Sequence, residues 1–165
     1  MARTHRPMQT VSLQRHIAVM DKITALSNVR ERSRKETRER LARSGFSEEE
    51  IQDGIETALR VGLISDERYA RSFIRGKVHA GWGRDKIERR LEECGVDSAV
   101  IAACQNEFAS PEEEYERALH ELEKRSCHAA DPYASYMRRL LGKGYSHEVS
   151  RRAVHDYLSR SQNSA

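Results

Sequence analysis

The sequence predicts an all-α fold, an elongated and curved array of three tandem three-helix repeats that resemble helix-turn-helix units. Three observations predict this fold class. Apolar residues recur at helical spacing, three or four positions apart, through most of the chain. No stretch alternates apolar and polar residues over the length of a strand. The same phrase, a leucine followed after three residues by a glycine and an apolar residue, occurs three times at intervals of about 50 residues.

The repeated phrase marks the end of one helix and the approach to the next. Its copies are Leu41 to Gly45-Phe46, Leu91 to Gly95-Val96 and Leu140 to Gly144-Tyr145. A glycine at this position can end a helix in the left-handed conformation. In each copy, apolar residues at helical spacing follow the glycine. Units of this length that touch mainly their neighbours stack into an elongated array with long faces.

The repeat divides the chain into four predicted segments. They are a mobile tail over residues 1–16, a first three-helix repeat with an N-terminal helix over 17–80, a second repeat over 81–128 and a third over 129–165. The tail is polar and shows no period. The third repeat is predicted to be incomplete, because only two helices fit into it.

The first repeat is predicted to begin with three helices. Weak helical spacing over residues 17–29 indicates the first, and residues 30–44 form the second, which carries few apolar residues and ends at the repeat glycine. Ser47 begins the third helix. Glu50 follows three positions later, and this pair is typical of a capping box. The apolar face of the third helix ends near Gly62.

A helix, a glycine break and a second helix form the centre of the chain, over residues 65–91. Ser65 is a candidate N-cap for the first of these helices, whose apolar stripe runs from Tyr69 to Val78. The chain's only tryptophan, Trp82, lies between two glycines at the break. It is either a wedge that packs between two units or an exposed contact for a partner. Packing is preferred, because a thin helical array needs large residues at its joints.

The remaining helices begin at clear N-terminal signals. These signals are Asp97, then Ser110-Pro111 with Glu113 three positions after the serine, then Asp131-Pro132, and finally Ser146. Proline suits the first turn of a helix, where its missing N–H group would have no partner within the helix.

Basic and acidic residues alternate in blocks, although the formal net charge is only +3. Basic residues outnumber acidic ones 11 to 4 over residues 1–43 and 8 to 3 over 67–91, whereas acidic residues lead 6 to 1 over 44–66 and 10 to 1 over 92–123. No apolar run reaches the ~20 residues that span a bilayer, and no signal peptide is expected. Three cysteines without a CxxC pair indicate free thiols in a reducing cytoplasm.

Catalytic and metal-binding patterns are missing from the sequence. The seven histidines are scattered, and none has a partner at metal-ligand spacing. The stretch Gly142-Lys143-Gly144 lacks the first glycine and the serine or threonine of a phosphate-binding loop. Gly81-Trp82-Gly83 lacks the strand and the third glycine of a dinucleotide fingerprint. We therefore expect a non-enzymatic protein with no metal and no cofactor.

Rows of like charge are the most informative functional pattern. Basic residues stand four positions apart in four places: Arg30, Arg34 and Arg38; Arg71 and Arg75; Lys86 and Arg90; Arg139 and Lys143. Like charges at this spacing mildly destabilise an isolated helix. Glutamates four positions away explain some arginines as ordinary surface pairs. We expect the fold to leave the rows unneutralised and to present them to an acidic partner, either a nucleic acid or an acidic protein surface.

Three stretches carry a resemblance to a known family. They are RSRKETRERL over residues 32–41 with the glycine and phenylalanine at 45–46, GLISDERYARSFI over 62–74, and GWGRDKI over 81–87 with the leucine at 91 and the Gly-Val pair at 95–96. In these stretches, which lie within residues 22–158, the chain resembles the RecX family of recombinase regulators. It departs from the family at Asn28 and Thr37, where leucine is usual.

The resemblance implies an all-helical protein of three tandem three-helix units that binds the RecA recombinase filament in its groove. Such proteins touch recombinase and DNA, and they usually limit filament growth, ATPase activity and strand exchange. The resemblance therefore implies a role in DNA repair, recombination and the SOS response. We expect a cytoplasmic monomer. The alternative is a helical module that binds DNA or RNA directly.

The candidate contact residues come from the charge rows, and the family motifs only locate them. They are Arg34, Arg38, Arg71, Arg75, Lys86 and Arg90, followed by Lys77 and Arg84. No catalytic residue is carried over from the family.

Overall fold

The computed structural model describes residues 12–125, 127 and 129–162. Its elements in chain order are α1 (Leu13–Ser27), α2 (Arg34–Arg43), α3 (Glu48–Arg60), α4 (Asp66–His79), α5 (Arg84–Glu93), α6 (Ser98–Ala103), a short 3-10 helix (Gln105–Glu107), α7 (Pro111–Glu123), α8 (Pro132–Lys143) and α9 (His147–Gln162). Over these residues the structure contains no strand, which confirms the all-α prediction. None of the helices in this part of the chain is long and apolar enough to cross a bilayer.

Two helix starts differ from the prediction. The first helix begins at Leu13, so residues 13–16 of the predicted tail are helical; residues 1–11 lie outside the described residues. The second helix begins four residues later than predicted, at Arg34. Ser33 fixes this start, because its hydroxyl accepts a hydrogen bond from the backbone N–H of Glu36 at 3.1 Å.

The predicted caps at the starts of α3, α7 and α8 form as hydrogen bonds. Ser47 and Glu50 make both bonds of a capping box at the start of α3, and Ser110 and Glu113 do the same at the start of α7. The side chain of Asp131 accepts a hydrogen bond from the backbone N–H of Ala134, the third residue of α8, at 2.9 Å. These caps satisfy N–H groups that have no partner within the helix.

The repeated phrase has one geometry in all three copies. The backbone N–H of the apolar residue after the glycine donates to the carbonyl of the leucine, at 3.4, 3.0 and 3.2 Å along the chain. The three glycines have φ values of 81°, 78° and 88°, in the left-handed region that favours glycine. The leucines, which are Leu41, Leu91 and Leu140, are all 0% exposed.

Three hydrophobic clusters organise the helices in groups of three. The first cluster joins α1, α2 and α3, the second joins α4, α5 and α6, and the third joins α7, α8 and α9. These groups differ from the segments expected to end at residues 80 and 128, because α4 packs on the helices that follow it. The third cluster contains three helices rather than the two expected, because it includes α7.

The chain divides into two compact units. The first unit covers residues 1–66 and holds the first cluster, whereas the second covers residues 67–165 and holds the other two clusters. In the first unit, α1 and α3 approach closely at Gly54. A Cβ atom at Gly54 would lie within 3.0 Å of the Val19 side chain, which is closer than real Cβ contacts allow.

In the second unit, the start of α5 docks on the end of α8. The backbone N–H of Gly83 donates to the Lys143 carbonyl at 2.9 Å, and that of Asp85 donates to the Gly144 carbonyl at 3.1 Å. A Cβ atom at Gly83 would lie within 3.0 Å of the Gly144 backbone, so only glycine fits this approach. The Tyr145 hydroxyl adds a hydrogen bond to the Gly81 carbonyl at 3.2 Å.

Two side chains of α7 complete this junction. Glu114, which is buried, accepts a hydrogen bond from the backbone N–H of Arg84 at 2.7 Å. Burial raises the pKa of this carboxyl, although the hydrogen bond from Arg84 opposes the shift. Arg117 donates from one guanidinium nitrogen to the carbonyls of Val78 and Trp82, at 2.5 and 3.0 Å. The second and third clusters are thus joined by side-chain hydrogen bonds as well as by backbone hydrogen bonds.

Candidate functional site

The eight predicted contact residues fall on both units. Arg34 and Arg38 lie in the first unit, and the other six lie on α4 and α5 of the second, which are Arg71, Arg75, Lys77, Arg84, Lys86 and Arg90. The two sets are described separately below.

Both predicted residues of the first unit have acidic partners. The backbone N–H of Arg34 donates to one carboxylate oxygen of Asp66 at 2.7 Å, and the guanidinium Nε lies 3.9 Å from the other oxygen. Arg38 forms an ion pair with Glu48 and donates to Gln52 Oε1 at 3.1 Å. Both arginine side chains are more than one third exposed, so these pairs contribute little to stability.

On α4, one carboxylate holds the predicted arginine row together. Arg71 and Arg75 each donate to Glu107 at 3.1 Å, and Arg71 also pairs with Glu67 at 2.8 Å. The hydrogen bond to Glu67, followed by the one to Glu107, raises the pKa of Arg71. The shared carboxylate of Glu107 therefore offsets the repulsion between the two guanidinium groups.

The predicted arginines of α5 are also paired. Arg84 donates to Glu88 at 2.7 Å and stacks over the Phe108 ring, 4.6 Å from its centroid. Arg90 pairs with Glu93 at 2.6 Å, which raises the pKa of Arg90. Each pair is made between neighbouring turns of the same helix.

The expectation that the fold leaves the arginine rows unneutralised is wrong. Every predicted arginine has a carboxylate within 4.0 Å. The decisive partner of Arg75, Glu107, lies 32 positions away in the chain. Spacing along one helix cannot reveal such a partner, because the packing of α4 against the following 3-10 helix brings the two together.

The two predicted lysines are arranged differently. In the described part of the chain, neither Lys77 nor Lys86 has a carboxylate within 4.0 Å. Both ammonium groups lie over the ring of Trp82, 4.6 Å from its centroid for Lys77 and 4.4 Å for Lys86. All three side chains belong to partly exposed residues. We call Lys77, Trp82 and Lys86 the lysine–tryptophan corner.

Trp82 combines features of its two predicted roles. Its ring packs against the cluster of α4, α5 and α6, yet the residue remains partly exposed. The close joint between the second and third clusters is made at Gly83 and Gly144 instead. Trp82 thus packs within its own group of helices and keeps part of its surface accessible to a partner.

Sequence reasoning missed Glu107, Glu114 and Arg117, which position the predicted residues. A signal existed for Arg117, since it is the one basic residue among ten acidic ones over residues 92–123. No comparable signal marked the two glutamates.

Beside Arg117 lies a cleft of about 370 Å³, lined by Val78, Glu107, Phe108, Ala109, Glu113, Glu116 and Arg117. In the part of the chain that the structure describes, no three His, Cys, Asp or Glu side chains are placed to hold a metal ion.

Comparison with known proteins gives the family. Residues 65–104 match the protein-family profile described as RecX, second three-helix domain. A protein named Regulatory protein RecX from Vibrio parahaemolyticus is 32% identical over 115 residues, which cover 67% of this chain and 73% of that protein. The chain belongs to the RecX family. A second Regulatory protein RecX, from Stenotrophomonas maltophilia, is 27% identical over 92% of this chain and 90% of its own length.

Solved RecX structures share the fold. The crystal structure of RecX from Lactobacillus salivarius superposes with a TM-score of 0.77 at 18% identity, covering 88% of this chain and 98% of that one. A crystal structure of regulatory protein RecX gives 0.73 at 20% identity, covering 82% and 69%. The predicted RecX membership and the helical RecX fold are both confirmed. The six predicted residues of α4 and α5 all fall within the matched residues 65–104.

Proposed function

We propose that this protein is a non-enzymatic regulator that binds the RecA–DNA filament, in its groove, and inhibits filament growth, ATPase activity and strand exchange. One observation carries the proposal: the stretch that matches the RecX second three-helix domain also holds six of the eight predicted contact residues. Basic side chains on α4 and α5 suit a filament that presents both an acidic protein surface and DNA phosphates.

The alternative is a helix-turn-helix module that reads DNA directly, and the third helices of the groups weigh against it. In such modules the recognition helix carries side chains that reach base edges. Here α3 begins with Glu48, Glu49 and Glu50, which would repel phosphates. The third helix of the next group, α6, has the sequence SAVIAA and no basic or amide side chain. α3 carries a single arginine, Arg60 in its last turn, whereas α9 carries three, so α9 is the third helix best suited to direct reading.

The proposal is tested by comparing two targets across a salt series. One target is bare single-stranded DNA, and the other is the same DNA coated with RecA and nucleotide. We expect binding at physiological salt to the coated form only. Equal affinity for bare DNA, falling steeply with salt, would instead support the direct nucleic-acid binder. A protein that binds neither target, or that leaves RecA ATPase unchanged, would contradict the proposed function.

The contact face is tested on α4. Replacing Arg71 and Arg75 together by glutamine should abolish the inhibition of RecA ATPase and leave helicity intact. Glutamine is preferable to glutamate, because Glu107 already faces both positions and a charge reversal would bring carboxylates together. The matched control replaces Arg138 and Arg151 by glutamine. It removes the same two charges from exposed positions on α8 and α9. Unchanged inhibition by the α4 variant would rule out this face.

A further inference from the structure

The lysine–tryptophan corner is an unbalanced concentration of positive charge. Its two ammonium groups lie within 5 Å of one ring centroid, so they are no more than about 9 Å apart. The predicted arginines of α4 and α5 are paired with carboxylates, whereas both lysines lie over the Trp82 ring. Lys77 also lies 5.3 Å from the centroid of the Phe73 ring, and Lys86 donates to the Gly142 carbonyl at 3.3 Å. Two like charges held this close favour an anion between or beside them.

Helix dipoles explain why each lysine occupies its position, but not why both ammonium groups lie over one ring. Lys77 lies in the last turn of α4, and Lys86 donates to a carbonyl in the last turn of α8. Both positions suit a cation, because the C-terminal end of a helix is negative. Neither dipole requires that the two ammonium groups meet over the same partly exposed ring. The corner therefore has a feature that helix stabilisation alone leaves unexplained.

We infer that the lysine–tryptophan corner binds single-stranded nucleic acid, with Lys77 and Lys86 on phosphates and the indole of Trp82 stacked on a base. This inference rests on the proposed function, because it takes the strand to be the DNA of the recombinase filament. Two ammonium groups at this separation can hold one phosphodiester or two neighbouring phosphates. An aromatic ring among basic side chains is the usual platform for an unpaired base.

The residue types favour nucleic acid over an acidic protein surface. The planar fork of arginine binds carboxylates and phosphates alike, but Arg75 and Arg84 in this protein already hold carboxylates. Lysine is a point charge that suits phosphate oxygens without demanding one geometry. The cation–π contacts are weak where they are partly exposed to solvent. The ammonium groups can therefore move from the ring to phosphates, and the same movement uncovers the ring for a base.

The corner carries its own probe, because Trp82 is the only tryptophan in the chain. The full-length protein is titrated with a short oligothymidylate at about 10 mM salt, where charges act over about 30 Å. We expect a saturable change in tryptophan emission. A polyglutamate peptide of equal charge tests for an acidic protein partner and should leave the emission unchanged. Inorganic tripolyphosphate should compete with the oligonucleotide without reproducing the full change, since it offers no base to stack.

Variants distinguish binding at the lysine–tryptophan corner from non-specific attraction by the protein's positive charge. Replacing Lys77 and Lys86 together by glutamine should reduce the slope of log affinity against log salt by about 1.4, since each single-strand phosphate contact contributes about 0.7. The Arg138→Gln, Arg151→Gln control removes two charges elsewhere in the same unit and should leave the emission change in place. Replacing both lysines by arginine keeps the charges and should preserve most of the response. Circular dichroism confirms that each variant is folded.

The outcomes separate failure of the corner from failure of the proposed function. Wild-type protein that inhibits RecA ATPase, while oligothymidylate leaves its tryptophan emission unchanged, would overturn the corner alone. An equal emission change in the glutamine variant and the wild type would also overturn it, as would a stronger response to polyglutamate. If the oligonucleotide response appears but the protein has no effect on RecA, the proposed function fails and the nucleic-acid corner stands. The wild-type titrations decide the matter even if the glutamine variant does not fold.

Discussion

Replacing Gly83 by alanine tests the junction between α5 and α8. The new methyl group would lie within 3.0 Å of the Gly144 backbone, so one of the two segments must move. That movement would break the hydrogen bonds from Gly83 to Lys143 and from Asp85 to Gly144. Two lost hydrogen bonds at about 1 kcal/mol each, with about 1 to 3 kcal/mol of overpacking, give a destabilisation of about 3 to 5 kcal/mol.

The assay is thermal unfolding followed by far-UV circular dichroism. At about 2 to 4 °C per kcal/mol for a protein of this size, the Gly83→Ala variant should melt about 10 °C below the wild type. Gly76→Ala is the matched control. Gly76 lies inside α4, and a Cβ atom there would meet no atom within 4 Å. Alanine should therefore stabilise that position by roughly 0.5 to 1 kcal/mol. Equal melting temperatures for Gly83→Ala and the wild type would refute the close approach of the two segments.

Three further predictions concern carboxylates. Glu107→Gln should change the melting temperature little but strengthen binding to RecA-coated DNA, because it releases two arginines; an unchanged affinity would contradict this. Burial raises the pKa of Glu114, so the wild type loses stability as pH increases through and above 4.5 and this carboxyl must ionise. The melting temperature of Glu114→Gln should therefore rise relative to that of the wild type over this range. A pH-independent difference between the two melting temperatures would contradict this. Glu50→Gln should lower the melting temperature at pH 7, and the loss should disappear between pH 4.5 and about 2. The Arg15 hydrogen bond lowers the pKa of Glu50 to about 2, so protonation removes the stabilisation in that window.

Local signals in the sequence predicted most of the helices. The capping box at Ser47 and the proline starts at Ser110 and Asp131 all formed, because each depends on hydrogen bonds between residues three positions apart. The leucine–glycine phrase also predicted three equivalent helix ends, because its geometry lies within six consecutive residues. Such features depend little on the rest of the fold.

The grouping of helices was harder to predict, because it depends on which apolar faces meet. The glycine break around Trp82 resembles a boundary, and it led to the assignment of α4 to the first repeat. In the structure, Tyr69, Ala70 and Ile74 of α4 pack with Ile87 and Leu91 of α5. Nothing in the spacing of these residues distinguishes a partner before them in the chain from one after them.

The candidate contact surface shows the same limit. The sequence identified the basic residues, and the family motifs located them on α4 and α5. Their electrostatic environment depends on carboxylates more than 30 positions away, such as Glu107 for Arg71 and Arg75. Lys86 likewise meets the Gly142 carbonyl 56 positions away. Only the folded chain separates the paired arginines from the two lysines that have no acidic partner in the described residues.

The docking of α5 on α8 has a mechanical consequence. Backbone N–H groups at the amino end of α5 donate hydrogen bonds to carbonyls at the carboxyl end of α8, so the two helix dipoles run in series across the junction. Because these hydrogen bonds connect the two helices, a rotation of α8 would displace the first turn of α5. Lys86 lies in that turn. A displacement of the last three helices would therefore shift Lys86 relative to the indole ring of Trp82.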